Sequence, residues 1–231
     1  LFNGDVSLGT TTADGTTGAY TITPAELSDG AYSLTVTATD AAGNTSSASS
    51  ALSITVDTTA PAAPTFTTTD TTTNDTTPII IGTAEAGSTV ELFNGDVSLG
   101  TTTADGTTGA YTITPAELSD GAYSLTVTAT DAAGNTSSAS SALSITVDTT
   151  APAAPTFTTT DTTTNDTTPI IIGTAEAGST VELFNGDVSL GTTTANDGGQ
   201  FSITTPTLAD NTYSLTVTAT DAAGNISAAS D

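Results

Sequence analysis

Residues 123–131 read Tyr-Ser-Leu-Thr-Val-Thr-Ala-Thr-Asp, and this stretch decides the fold. Apolar side chains take every second position, at Tyr123, Leu125, Val127 and Ala129. Successive side chains of a β-strand point to opposite faces, so alternation with period two predicts a strand with one buried face. Thr and Val favour such a pleated, half-buried surface. No part of the sequence keeps a helical period, so we expect an all-β protein.

The same pattern returns along the chain because the chain repeats itself every 91 residues. The string LFNGDVSLGTTTA begins at Leu1, Leu92 and Leu183. The third copy diverges after Ala195, where its replacement segment is one residue shorter than in the other copies. Self-similarity of this kind predicts an array of similar structural units.

Between two linker segments the repeat contains seven predicted strands. They lie around Phe66 and at 78–83, 89–94, 97–104, 110–114, 123–131 and 143–147. The turn Asn94-Gly95-Asp96 is a hairpin signal, and Asp120-Gly-Ala-Tyr123 resembles a tyrosine corner, although a core tyrosine at a strand start explains it equally. Seven short strands in one repeat predict tandem immunoglobulin-like, antiparallel β-sandwiches arranged as a linear rod.

The segment DTTAPAAP, at 57–64 and again at 148–155, is the predicted linker. Its prolines resist regular strand pairing and stiffen the chain. We therefore expect the C-terminal part of a repeat at 1–56, a complete repeat at 57–147 and a repeat lacking its last strand at 148–231. A partial sandwich exposes its core and edges, so we expect these ends to belong to a longer array or to be completed by neighbouring copies.

Composition excludes several classes of function. The chain has 25 acidic residues, no Lys, Arg or His, and a formal net charge of −25. Such a surface repels nucleic acid and anionic membranes, and no apolar run approaches the ~20 residues of a membrane span. Cys is also absent, which removes disulfides and thiol nucleophiles. Only carboxylates and hydroxyls remain for catalysis, so we predict that the chain is not an enzyme.

Acidic residues recur in the turns at both ends of the predicted sandwich, and calcium takes six to eight such hard oxygen ligands. We therefore predict calcium sites at the junctions, although any single acid is also explained as a solvated turn residue. At the linker end of the two repeats the predicted ligands are Asp57, Glu85, Asp131 and Asn135, and then Asp148, Glu176, Asp221 and Asn225. At the opposite end they are Asp29, Asp75 and Asp120.

Four motifs carry a resemblance to a known family. They are DTTAP from Asp57, TNDTTPI from Thr73, GTAEAGSTV from Gly82 and TATDAAGN from Thr128. With them the chain resembles the bacterial Ig-like repeats of giant type I-secreted adhesins, including biofilm-associated and RTX-type adhesins. The resemblance implies an extracellular extender on the bacterial cell surface or in a secreted protein. It also implies calcium at interdomain junctions, where the acids that match by position are Asp57, Glu85 and Asp131 at the first linker and Asp148, Glu176 and Asp221 at the second.

The leading hypothesis is a spacer of a cell-surface adhesin in biofilm formation, whose partners are the neighbouring repeats of the same chain. Identical copies, a stiff linker and acids at the junctions favour it. Two alternatives stay open. One is a self-assembling matrix filament in which other copies of the chain supply missing strands, and the other is an Ig-like module that binds a host protein or glycan directly.

Overall fold

The computed structural model describes residues 1–230, and within that range all regular structure is β-strand. The described residues contain no helix long and apolar enough to cross a membrane. The strands of residues 57–147 are β5 (Thr65–Phe66), β6 (Thr71–Thr73), β7 (Ile80–Thr83), β8 (Thr89–Asn94), β9 (Val97–Thr103), β10 (Ala110–Ile113), β11 (Gly121–Thr130) and β12 (Leu143–Val147).

These strands form two sheets that share one core. One sheet has the order β10-β7-β5 and the other has the order β6-β12-β11-β8-β9. Ile80 and Ile113 from the first sheet lie in one buried cluster with Leu92, Leu125 and Ile145 from the second. Because inward residues of both sheets pack together, the repeat is an immunoglobulin-like sandwich, as the alternation predicted.

All seven predicted strands are present within a few residues of their expected bounds. The hairpin is also present, because β8 and β9 pair from Asn94 to Val97 and Gly95 adopts a positive φ of 59°. The strand β6 was not predicted, since Thr71–Thr73 is a run of threonine without alternation. It pairs in parallel with β12 across the register Ile145↔Thr71.

The hydrogen bond that defines a tyrosine corner is present. The hydroxyl of Tyr123 donates to the main-chain oxygen of Ser119 at 2.9 Å, which ties the loop to the start of β11. The same bond recurs in the other two repeats, from Tyr32 to Ser28 and from Tyr213 to Ala209.

Residues 148–230 form the same sandwich with fewer strands. They are β13 (Thr156–Phe157), β14 (Ile170–Thr174), β15 (Thr180–Asn185), β16 (Val188–Thr194), β17 (Gln200–Thr204) and β18 (Leu215–Thr220). The sheets have the orders β13-β14-β17 and β16-β15-β18. The sequence contains no counterpart of β12 in this repeat, and Thr162–Thr164, the counterpart of β6, accordingly forms no strand.

Residues 1–56 form one sheet with the order β2-β1-β3-β4. Its strands are β1 (Phe2–Asn3), β2 (Val6–Ser7), β3 (Gly30–Thr35) and β4 (Leu52–Val56). Among residues 1–230, no second sheet covers it. Leu52 and Ile54 are therefore 60% and 39% exposed, whereas their counterparts Leu143 and Ile145 are 3% and 0% exposed.

Candidate functional site at the repeat junctions

Both linkers lie against the protein rather than free in solvent. Pro61 and Pro64 are buried in the first linker, and Pro152 and Pro155 are buried in the second. Proline lacks an N–H, so it can be buried without leaving a main-chain donor unpaired. The linkers therefore carry fixed contacts and act as part of each junction.

The loop Asp131–Asn135 receives the incoming linker of the complete repeat. The carboxylate of Asp131 accepts hydrogen bonds from the main-chain N–H groups of Ala133, Gly134 and Asn135 at 2.8–2.9 Å. The Asn135 amide donates both to Asp131 Oδ2 at 2.9 Å and to the main-chain oxygen of Asp57 at 3.0 Å. The Asn135 side chain, followed by the main-chain donors, lowers the pKa of Asp131.

The loop Asp221–Asn225 repeats this arrangement at the second linker. The Asn225 amide donates to Asp221 Oδ2 at 2.8 Å and to the main-chain oxygen of Asp148 at 2.8 Å. Burial raises the pKa of Asp221, but hydrogen bonds from Asn225 and from main-chain N–H groups outweigh it, and the net shift is downward. Of the four residues predicted to converge at the first linker, the structure brings together Asp131, Asn135 and the main chain of Asp57, whereas Glu85 is exposed in its own loop.

On the other side of each junction the preceding repeat holds the same linker through a carboxylate. Asp120 accepts from the main-chain N–H of Thr149 at 3.1 Å, from its hydroxyl at 2.8 Å and from the hydroxyl of Thr150 at 3.1 Å. The Thr149 hydroxyl is the largest cause of the lowered pKa of Asp120. Asp29 accepts the equivalent bonds from Thr58 and Thr59 at 2.8–3.1 Å, which likewise lower its pKa.

The remaining predicted ligands lie apart from these contacts. Glu85 and Glu176 are exposed in their loops. Asp75 accepts the main-chain N–H and hydroxyl of Thr77 within its own turn, at 2.8 and 3.1 Å. The carboxylates of Asp57 and Asp148 each accept a main-chain N–H two residues ahead, at 3.0 Å.

Among residues 1–230, no group of three or more acidic side chains lies close enough together to hold a metal ion. The donors at each junction are hard oxygens of the kind calcium takes. An ion there would have to complete its six to eight ligands with main-chain and water oxygens. Calcium binding at the junctions therefore stays a prediction.

Some residues that form the junctions were not predicted from the sequence. The threonine pairs Thr58–Thr59 and Thr149–Thr150 supply the donors to Asp29 and Asp120, and their recurrence after each linker aspartate was the available signal. The main-chain N–H of Asn74 donates to the main-chain oxygen of Ala223 at 3.1 Å. This contact joins two main-chain groups, so no pattern of side chains in the sequence predicts it.

Comparison with known proteins assigns the chain to a family. The profile described as "Bacterial Ig-like domain" matches residues 1–58, 63–149 and 154–231. These three ranges cover nearly the whole chain. The matches agree with the sandwich topology, and the family's description confirms the bacterial Ig-like part of the resemblance carried by the four motifs.

Curated relatives include polysaccharide-degrading enzymes by name. Exoglucanase A of Cellulomonas fimi is 42% identical over all of this chain, and Exoglucanase B of the same organism is 36% identical over all of it. Chitinase A1 of Niallia circulans is 38% identical over 49% of this chain. The chain spans only 28%, 22% and 17% of these three proteins, respectively.

Solved structures also match. Fibronectin(III)-like modules of CbhA from Clostridium thermocellum match at a TM-score of 0.47 and 18% identity, over 72% of this chain and 90% of theirs. The BSP domain of a biofilm-associated protein matches at a TM-score of 0.30 and 23% identity, over 73% of this chain and 28% of that one.

Proposed function

Because the chain belongs to the bacterial Ig-like domain family, we propose that it is an extracellular spacer of a large bacterial adhesin. In this role it holds a distal domain away from the cell surface and performs no catalysis itself. The observation that carries the proposal is the repeated junction. Each linker is hydrogen-bonded to the repeat before it and to the repeat after it, at both Asp57 and Asp148.

A spacer made of such repeats gains length in proportion to copy number, because each repeat contacts only its neighbours. The acidic surface suits exposed extracellular work, since a net charge of −25 keeps neighbouring molecules apart in solution. Identical copies also favour spacing over recognition, because a binding site does not need to be copied unchanged along a chain.

Small-angle scattering tests the spacer role directly. A further copy of residues 57–147 is inserted after Val147, and the maximum dimension of the particle is measured before and after. A spacer gains one constant increment per inserted copy. A gain that falls with each further copy, as for a flexible coil whose size grows with the square root of its length, would contradict the proposal.

The calcium component of the proposal has a separate test. Calcium bound near the junction carboxylates would offset their repulsion and restrict motion between repeats. We expect chelation to lower the melting temperature and to shorten the maximum dimension slightly, by the part of the restraint that the junction hydrogen bonds do not supply. If neither changes between excess chelator and saturating calcium, calcium has no role here, and the spacer role still stands on the copy-number series.

A second context is supported by the relatives named as exoglucanases and a chitinase. In that context the repeats would separate the parts of a secreted polysaccharide-degrading enzyme. Sedimentation with insoluble cellulose and with chitin distinguishes spacing from binding. A spacer stays in the supernatant with both, whereas retention on either polymer indicates a module that recognises glycan directly.

A further inference from the structure

We propose that the angle between successive repeats is fixed by a hydrogen-bonded clamp that works without a metal ion. The junction clamp at the second linker consists of Asn74 and Asp120 from the preceding repeat, the linker residues Asp148–Thr150, and the loop Asp221–Asn225 from the following repeat. The inference deepens the proposed spacer role, because it names the contacts that keep the rod from bending.

The preceding repeat holds the linker at two adjacent residues. Both carboxylate oxygens of Asp120 are used, one by the Thr149 hydroxyl and the other by the Thr150 hydroxyl. A carboxylate that accepts on both oxygens fixes direction as well as distance. The linker therefore leaves the preceding sandwich at a defined angle.

The following repeat holds the same linker one residue earlier. The Asn225 amide donates to the main-chain oxygen of Asp148 and is itself oriented by Asp221 Oδ2. Asn225 is only 9% exposed. A buried amide without hydrogen-bond partners would destabilise the fold, so the bonds to Asp148 and Asp221 hold Asn225 in this position. Three successive linker residues are thus bonded to two different sandwiches.

The two repeats also contact each other directly, through the bond from Asn74 to Ala223. A matched comparison shows what this contact does to the loop. Ala223 is 8% exposed beneath the preceding repeat, whereas its counterpart Ala133, at the first linker, is exposed. Among residues 1–230, no main-chain N–H donates to Ala133 in the way that Asn74 donates to Ala223. The Asp221–Asn225 loop is therefore the receiving surface for the preceding repeat.

The side-chain part of the clamp occurs twice, with the same partners in the same order. Asp29 holds the threonines after Asp57 as Asp120 holds those after Asp148. Asn135 holds the oxygen of Asp57 as Asn225 holds that of Asp148. Repetition at both junctions indicates a built feature of the array.

The test measures how widely the angle between two repeats varies. The chain has no Cys, so Val97→Cys and Val188→Cys, each 62% exposed in the parent chain, place one spin label on each side of the second linker. Double electron–electron resonance then gives the distribution of label distances. Because unclamped repeats move relative to one another, we expect Asp120→Ala with Asn225→Ala to broaden that distribution about twofold.

Two matched controls use the same chemistry elsewhere. Asp105→Ala removes a carboxylate that accepts from threonine only within its own turn. Asn135→Ala removes the equivalent amide at the first linker, which the labels do not span. Neither control should change the width. An unchanged width in the double variant, or equal broadening in a control, overturns the clamp.

A second variant tests the clamp even if the first variant fails to fold. Thr149→Val with Thr150→Val keeps side-chain shape and the main-chain bond but removes both hydroxyl donors to Asp120. All samples are measured in chelator and in calcium. In chelator the distribution of label distances must stay narrower for the unaltered junction than for the variants. If the distributions are equally broad without calcium, the metal-free clamp is wrong. Growth of length with copy number is measured separately, so the spacer role and the clamp fail independently.

Discussion

The ring of Tyr111 lies directly over Gly82, so close that a Cβ on this glycine would overlap both the Tyr111 ring and the main-chain oxygen of Thr65. The Tyr111 hydroxyl donates to that same oxygen at 3.1 Å. Glycine at this position is what allows β5, β7 and β10 to come together. In the third repeat Phe201 lies over Gly173 in the same manner.

Gly82→Ala should therefore destabilise the complete repeat. The added methyl group meets main chain, which cannot rotate away, and overpacking of this kind costs about 2 kcal/mol. Urea unfolding measures the change. Gly106→Ala is the control, because a Cβ there meets nothing within 4 Å, and its effect should be near zero. Equal effects of the two substitutions would refute the packing argument.

Leu143→Ala and Leu52→Ala compare one repeat position in two surroundings. Leu143 is 3% exposed in the covered sandwich, and Leu52 is 60% exposed in the uncovered sheet. Truncation of a buried leucine costs about 2–5 kcal/mol, whereas truncation of the exposed one should leave stability unchanged. Thermal unfolding followed by circular dichroism checks both. A large loss from Leu52→Ala would show that residues 1–56 are covered in solution.

Asp70→Ala tests the parallel strand β6. The Asp70 carboxylate accepts the main-chain N–H of Ser144 at 2.8 Å, which holds β6 against β12. Its loss should cost about 1 kcal/mol. The control is Asp161→Ala, the same position in the third repeat, where the sequence holds no counterpart of Ser144. Hydrogen exchange at Ser144 should accelerate in the first variant only.

The phenol of Tyr111 should lose its proton at a higher pH than an ordinary tyrosine. Burial raises its pKa from an ordinary 10.0 to about 12, which means that folding favours the neutral phenol. The stability linked to this group is therefore complete below pH 10.0 and is lost as the pH rises through about 12. Ultraviolet titration of the phenols should show one late component that Tyr111→Phe removes. A titration curve that is the same in urea as in buffer would contradict the expectation.

Local pattern was enough to locate the core of the complete repeat and all of its strands except β6. Alternation in β11 assigned Leu125, Val127 and Ala129 to the interior, and all three are fully buried. The linker, the hairpin at Gly95 and the tyrosine corner were also visible, because each depends on residues close together in sequence. The acids of the junction were visible as residue types, but their partners were not.

Tertiary structure decided what each strand could pair with. Residues 1–56 and 92–147 are identical in sequence, yet β3 spans Gly30–Thr35 while its counterpart β11 spans Gly121–Thr130. The difference arises on one edge of the strand, where β11 pairs with all six residues of β8 and β3 pairs with only the two residues of β1. Burial and pairing require a second segment, which an identical sequence does not supply. For the same reason, only the stacked repeats bring Asn74 to Ala223, and composition alone leaves the contacts of each junction undetermined.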